Sequence, residues 1–160
     1  MTSWNDISRQ APDLAVKVEQ RFAATGLGYL ATLRADGFPR ISGIEPLFAG
    51  GELWLGMMWG SLKARDLARN PRFALQSANI DKQVTAGDAR ITGLAVVAGD
   101  DTVEQFRRAF AEATGADPPP GQFHLFFADV VELSFVQPAV DHLVIESVKV
   151  GEAPKRVERF

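Results

Sequence analysis

Between Gly28 and Met58 the chain carries three strand-compatible segments separated by two tight turn signals. Gly28 to Arg34 is followed by Asp36-Gly37, a hairpin dipeptide whose residues accept positive φ. Arg40 to Phe48 comes next, then Gly50-Gly51, then Leu53 to Met58. Loops this short join only antiparallel neighbours, so the predicted unit is a β-meander. A meander alone leaves two unpaired edges and an uncovered apolar face, and it needs further strands to be stable.

The rest of the chain supplies them. Phe73 to Ser77 alternates as a strand, and Asp88 to Ala98 carries Ile91, Leu94, Val96 and Val97. Phe123 to Phe135 reads as a strand pair or one bent strand, and His142 to Val148 as a last strand before a tail basic at Lys155, Arg156 and Arg159. Three helices are interleaved. The first covers roughly Pro12 to Thr25, with Leu14, Val18 and Phe22 on one stripe and Gly26 as its stop. The second is capped by Ser61 and ends near Asn70, because the residue before Pro71 avoids helical dihedrals. The third opens on the capping-box pattern Thr102-Val103-Glu104-Gln105 and stops at Gly115, before the loop Pro118-Pro119-Pro120. No repeat or linker interrupts residues 1–160, so one domain is expected. Six or more mostly antiparallel strands in that length predict a closed or nearly closed barrel with flanking helices, a mainly β (α+β) fold.

Composition narrows the function classes. Net charge is −3, with 17 Lys+Arg against 20 Asp+Glu, which argues against a general nucleic-acid binder. There is no Cys, which excludes disulfides, thiolate metal sites and Cys nucleophiles. The two His, His124 and His142, are too few for most histidine metal sites; both sit in apolar strands, where a structural role is the commoner one. No metal site is expected. The N-terminus lacks the pattern of a signal peptide and no apolar run approaches ~20 residues, so the expected location is the cytoplasm, away from membranes.

The segment Leu53 to Arg65 carries the chemistry: a strand ends, Gly60-Ser61 turns the chain, and a helix starts. Free N–H groups and partial positive charge at a helix N-terminus attract anions. Lys63 and Arg65 lie in that first turn with no acid before Asp66. Cations there oppose the helix dipole at about 0.3–1 kcal/mol each, and a bound anion reverses that sign. A solvated helix with two incidental basic residues explains the spacing equally well. This is not a Walker loop. Arg40 on the second strand offers a further charge, and Ser42, Gly43 and Gly56 are small enough for a flat ligand to approach the backbone, or for a tight barrel corner. Trp54 and Trp59 suit stacking on a ring or a place in the core. No residue stands out as a catalytic acid or base.

Leu33-Arg34-Ala35-Asp36-Gly37-Phe38-Pro39-Arg40, Leu53-Trp54-Leu55 and Gly60-Ser61-Leu62-Lys63-Ala64-Arg65-Asp66-Leu67-Ala68-Arg69-Asn70-Pro71-Arg72 together resemble the pyridoxamine phosphate oxidase-like family. The resemblance implies the antiparallel six-stranded split β-barrel that binds FMN, a homodimer with the flavin between subunits, and an oxidoreductase acting on a small-molecule substrate. Carried over by position, Arg40, Ser61 and Lys63 match phosphate-holding residues, and Ile41, Ser42 and Gly43 lie on the strand beside the flavin ring. Met57 and Leu62 fall at further cofactor-contacting positions. Departures are visible: Ser61-Leu62-Lys63 stands where Ser-Arg-Lys is typical, Gly56-Met57 replaces a polar Tyr-Thr pair, and Glu45 ends the second strand where a basic residue is expected. Arg65 is the nearest partial substitute for the missing charge. In related subfamilies the same fold binds the deazaflavin coenzyme F(420), flavin adenine dinucleotide or haem. Those alternatives therefore stand beside FMN, as does flavin or haem binding without turnover. No Arg-x-His pair occurs, so the resemblance does not extend to a true pyridoxamine 5'-phosphate oxidase.

Overall fold

The computed structural model describes residues 1–160 as four helices and nine strands. In chain order these are α1 (Trp4–Gln10), α2 (Pro12–Ala23), β1 (Gly28–Leu33), β2 (Pro39–Ile44), β3 (Leu47–Ala49) and β4 (Glu52–Met58). There follow α3 (Leu62–Arg69), β5 (Arg72–Ser77), β6 (Asp88–Val97), α4 (Asp100–Thr114), β7 (Phe123–Pro138), β8 (Leu143–Lys149) and β9 (Lys155–Arg159). All pairings are antiparallel, and the principal path runs β2-β1-β5-β6-β7-β4-β3, with the hairpin β8-β9 attached to β7. The sheet curls but does not close: β2 pairs only with β1, and β3 only with β4. The chain passes from one edge to the other through Glu45-Pro46, which leaves a seam.

This is the expected split-barrel class, with corrections in detail. The expected strand Arg40 to Phe48 breaks in two, because Pro46 cannot donate to a ladder. The tail forms a strand on β8, which together with the split at Pro46 brings the sheet to nine strands. Phe123 to Pro138 is one strand, bent by a bulge opposite Thr92/Gly93. A preceding helix, α1, starts at Ser3, whose hydroxyl accepts from the Asp6 amide while the Asp6 carboxylate accepts from the Ser3 amide. The capping-box reading of Thr102 is wrong: α4 begins at Asp100 with Gly99 as N-cap, and Asp100 and Asp101 occupy its electropositive first turn. Gly115 ends it at φ 70°, as expected.

Helices α1 and α2 plug the barrel. Ile7, Val18 and Phe22 meet Leu30, Leu75, Ile91 and Leu133 in the main core. β4 buries Leu53, Trp54 and Leu55 in succession because both of its faces are covered. Leu53 and Leu55 enter the main core, while Trp54 packs against Phe106 of α4, with ring centroids 5.4 Å apart, and donates from Nε1 to the Ala49 carbonyl at 2.9 Å. No helix is long and apolar enough to cross a membrane.

Candidate functional site

Helix α3 stands beside the seam and ties it together. Ser61 caps it: the hydroxyl accepts from the Ala64 amide at 3.4 Å, and the Ser61 amide donates to the Met58 carbonyl at 3.2 Å. Ser61 is therefore spent on the turn, and the free donors at the helix start are the Leu62 and Lys63 amides. Lys63 reaches across to β2 and donates from Nζ to the Gly43 carbonyl at 2.5 Å. Burial pushes the Lys63 ammonium below the usual lysine range.

Further along α3, Asp66 is 3% exposed. Its Oδ2 accepts from Arg40 Nε at 2.6 Å and from Thr32 Oγ1 at 2.8 Å, and its Oδ1 from Arg69 at 3.2 Å. Burial alone would raise its pKa; the hydrogen bonds from Arg40, Thr32 and Arg69 outweigh that and hold the carboxyl below the ordinary range.

A cleft of about 760 Å³ opens beside the seam, within the range of small-molecule sites. Gly43 and Glu45 of the β2 edge, Gly56 and Met57 of β4, Lys63, and Phe106 of α4 are among its walls. A Cβ on Gly43 or on Gly56 would meet nothing within 4 Å, so both backbones face open space. A flat ring can lie against them, and Lys63 with the free α3 amides can take an anionic group. These residues fit a flavin phosphate and ring in donor type and in shape.

Of the expected cofactor residues, Gly43, Met57 and Lys63 line this cleft. The Met57 side chain itself is 4% exposed and belongs to the main core, so its backbone is what the cleft meets. Arg40, Ile41, Ser42, Ser61 and Leu62 lie next to the lining rather than in it. Arg40 turns toward Asp66, while Ile41 and Leu62 point outward at 74% and 54% exposure. Arg65 does not stand in for the missing charge here, since it lines a different cleft on the far side of α3.

His124 is a site-edge residue that its apolar strand concealed. Its Nε2 accepts from the Gly60 amide at 3.1 Å, which places the proton of the neutral ring on Nδ1. The indole of Trp59 stacks on it, with centroids 4.6 Å apart and planes 9° from parallel. Only the register Met57↔His124 brings the two segments together, and that pairing is not readable from either alone. His142, in contrast, bonds Asp141 and packs on Phe160 away from the cleft. No group of His, Asp or Glu is arranged to hold a metal.

An open antiparallel barrel with a cleft at its seam and a helix start beside it is the architecture of the FMN-binding split barrels. The sequence profile of the pyridoxamine 5'-phosphate oxidase family matches residues 14–137, and the chain belongs to that family. Among solved structures, a pyridoxamine 5'-phosphate oxidase-related, FMN-binding protein from Nostoc punctiforme superposes with a TM-score of 0.65 at 12% identity, covering 94% of this chain and 96% of that one. PhzG from Burkholderia lata, solved with tetrahydrophenazine-1-carboxylic acid, gives 0.60 at 17% identity over 89% and 90% of the two chains. A heme-binding protein from Mycobacterium smegmatis gives 0.55 at 24% identity, covering 83% of this chain and 57% of that one. No curated protein sequence matches the chain.

Proposed function

We propose that this protein is a flavin-dependent oxidoreductase that holds FMN in the seam cleft and acts on a small organic substrate, with a second copy of the chain closing the cleft. The observation that carries the reading is the pairing of two open glycine backbones, Gly43 and Gly56, with the Lys63 ammonium at one end of the same cleft. When bound, the flavin supplies the hydride chemistry. The chain's own part is placement. Lys63 and the Leu62 and Lys63 amides would hold the phosphate, Gly43 and Gly56 would let the ring approach, and Phe106 and Met57 would border it away from water. Glu45 and Lys63 are the only ionisable side chains on the lining, so the protein contributes binding and orientation more than proton transfer. That same scarcity supports a second reading, a flavin or haem carrier without turnover.

The test is to release the bound cofactor by heating purified protein and identify it by absorbance and mass, then to follow bleaching of the loaded protein on adding a nicotinamide donor. Release of FMN and bleaching support the enzyme. FMN or haem without reduction supports the carrier, and recovery of the deazaflavin coenzyme replaces FMN in the proposal.

A further inference from the structure

On the far side of α3 lies a second cleft of about 520 Å³, walled by α3, the start of α4, the end of β6 and the first residues of β7. Residues two apart on a helix diverge by about 200° around its axis, so Lys63 faces the seam cleft while Arg65 faces this one. Arg107 enters from α4. Neither guanidinium has a hydrogen-bond or ion-pair partner. The other arginines without one are Arg72 and Arg159; Arg9, Arg21, Arg34, Arg40, Arg69, Arg90, Arg108 and Arg156 are all bonded. In a chain of net charge −3, this cleft carries two unpaired cations and His124 and no acidic side chain. The remaining walls are mostly apolar, with Ala64, Ala68, Val103 and Phe126 prominent. Trp59, stacked on His124, borders both clefts.

We propose that this second cleft binds an amphipathic organic acid, its carboxylate taken by Arg65 and Arg107 and its apolar body lying along the alanine, valine and phenylalanine walls. Guanidinium forks match a carboxylate geometrically and lose less hydration than an ammonium does. Burying an aliphatic chain supplies the remainder of the affinity. The site depends on neither the identity of the cofactor nor its presence.

The test is titration of the purified protein with octanoate, read by calorimetry and by tryptophan fluorescence, with octan-1-ol as the uncharged counterpart. Expected are one saturable site per chain and binding of octan-1-ol at least about tenfold weaker, the scale of a charge-assisted contact. Arg65→Gln and Arg107→Gln should each weaken octanoate by about tenfold or more. Arg108→Gln, which removes the Glu104 ion pair on the same helix, should leave it unchanged. Melting temperatures of all three variants separate lost binding from lost folding. The proposal is overturned by absence of saturation, by equal affinity for the alcohol, or by indifference to both glutamine variants. Loss of octanoate affinity in Lys63→Ala but not in Arg65→Gln would place the acid in the seam cleft and overturn it too. So would release of monomers by octanoate, which would show a partner chain filling the second cleft.

Discussion

Arg40 Nε donates to Asp66 Oδ2 at 2.6 Å, joining the edge strand β2 to the helix whose start faces the seam cleft. The carboxylate is almost wholly buried and the guanidinium 27% exposed, so the pair fixes the spacing between two elements that share no backbone hydrogen bond.

Asp66→Ala should therefore destabilise the fold by about 3 kcal/mol, the lower end for a broken buried pair because Arg40 keeps some contact with water. Urea unfolding at neutral pH measures it. Loss of under about 0.5 kcal/mol, the range of ordinary surface changes, would show that the seam does not need the pair.

The same carboxyl gives a pH signature. Its folded pKa lies below the ordinary value of 3.8, so its contribution is fully present above that value and is lost as pH falls through the lowered one. The stability gap between the wild type and Asp66→Asn should be constant from about pH 5 upward and should shrink below about pH 4. A gap that widened on acidification would contradict the assignment.

Lys63→Ala should weaken FMN binding by about 1.5–3 kcal/mol, roughly ten- to more than a hundredfold, while leaving the melting temperature of the apoprotein nearly unchanged. Phosphate bound beside Lys63 should also raise its depressed pKa, visible by NMR of the lysine side chain. Equal FMN affinity in the two proteins would remove Lys63 from the phosphate site.

Gly93→Ala should cost about 1–3 kcal/mol by overpacking. A Cβ there would stand 2.6 Å from the Asp129 carbonyl oxygen and 3.0 Å from the Phe73 ring. Gly43→Ala, whose Cβ meets nothing, should leave stability within about 0.5 kcal/mol and affect ligand binding instead. Chemical denaturation of the two variants side by side checks the contrast.

Ile41, Met58, Trp59 and Leu62 are all more than half exposed around the seam. Light scattering at micromolar concentration should give about twice 17.4 kDa. Loaded with FMN, the protein should release no hydrogen peroxide from pyridoxamine phosphate at ordinary enzymatic rates, since no Arg-x-His pair is present to bind that substrate.

The strands, and the helix opened by Ser61, were legible because alternation, Asp36-Gly37 and Pro71 act locally. The free amides at the start of α3 were legible for the same reason. Other features depend on partners distant in sequence. Arg40 reads as a free charge until Asp66 is folded beside it, and Lys63 and Arg65 read as one cluster until the helix turns them apart. The role of His124 depends on an amide 64 residues away. The strand at the tail was hidden because it is exposed throughout and charged at every position but Val157.

The bulge in β7 acts as a change of parity. Up to Val130 the even-numbered residues Phe126, Ala128 and Val130 point inward; beyond Val131 the odd-numbered Leu133 and Phe135 do. One supernumerary residue lets a single strand serve two registers, as an added letter restores a shifted reading frame. Threaded as a regular strand with no bulge, the same residues would turn Glu132 and Ser134 inward and Leu133 and Phe135 to the outside. The place of the bulge is therefore as strictly required as the hydrophobicity on either side of it.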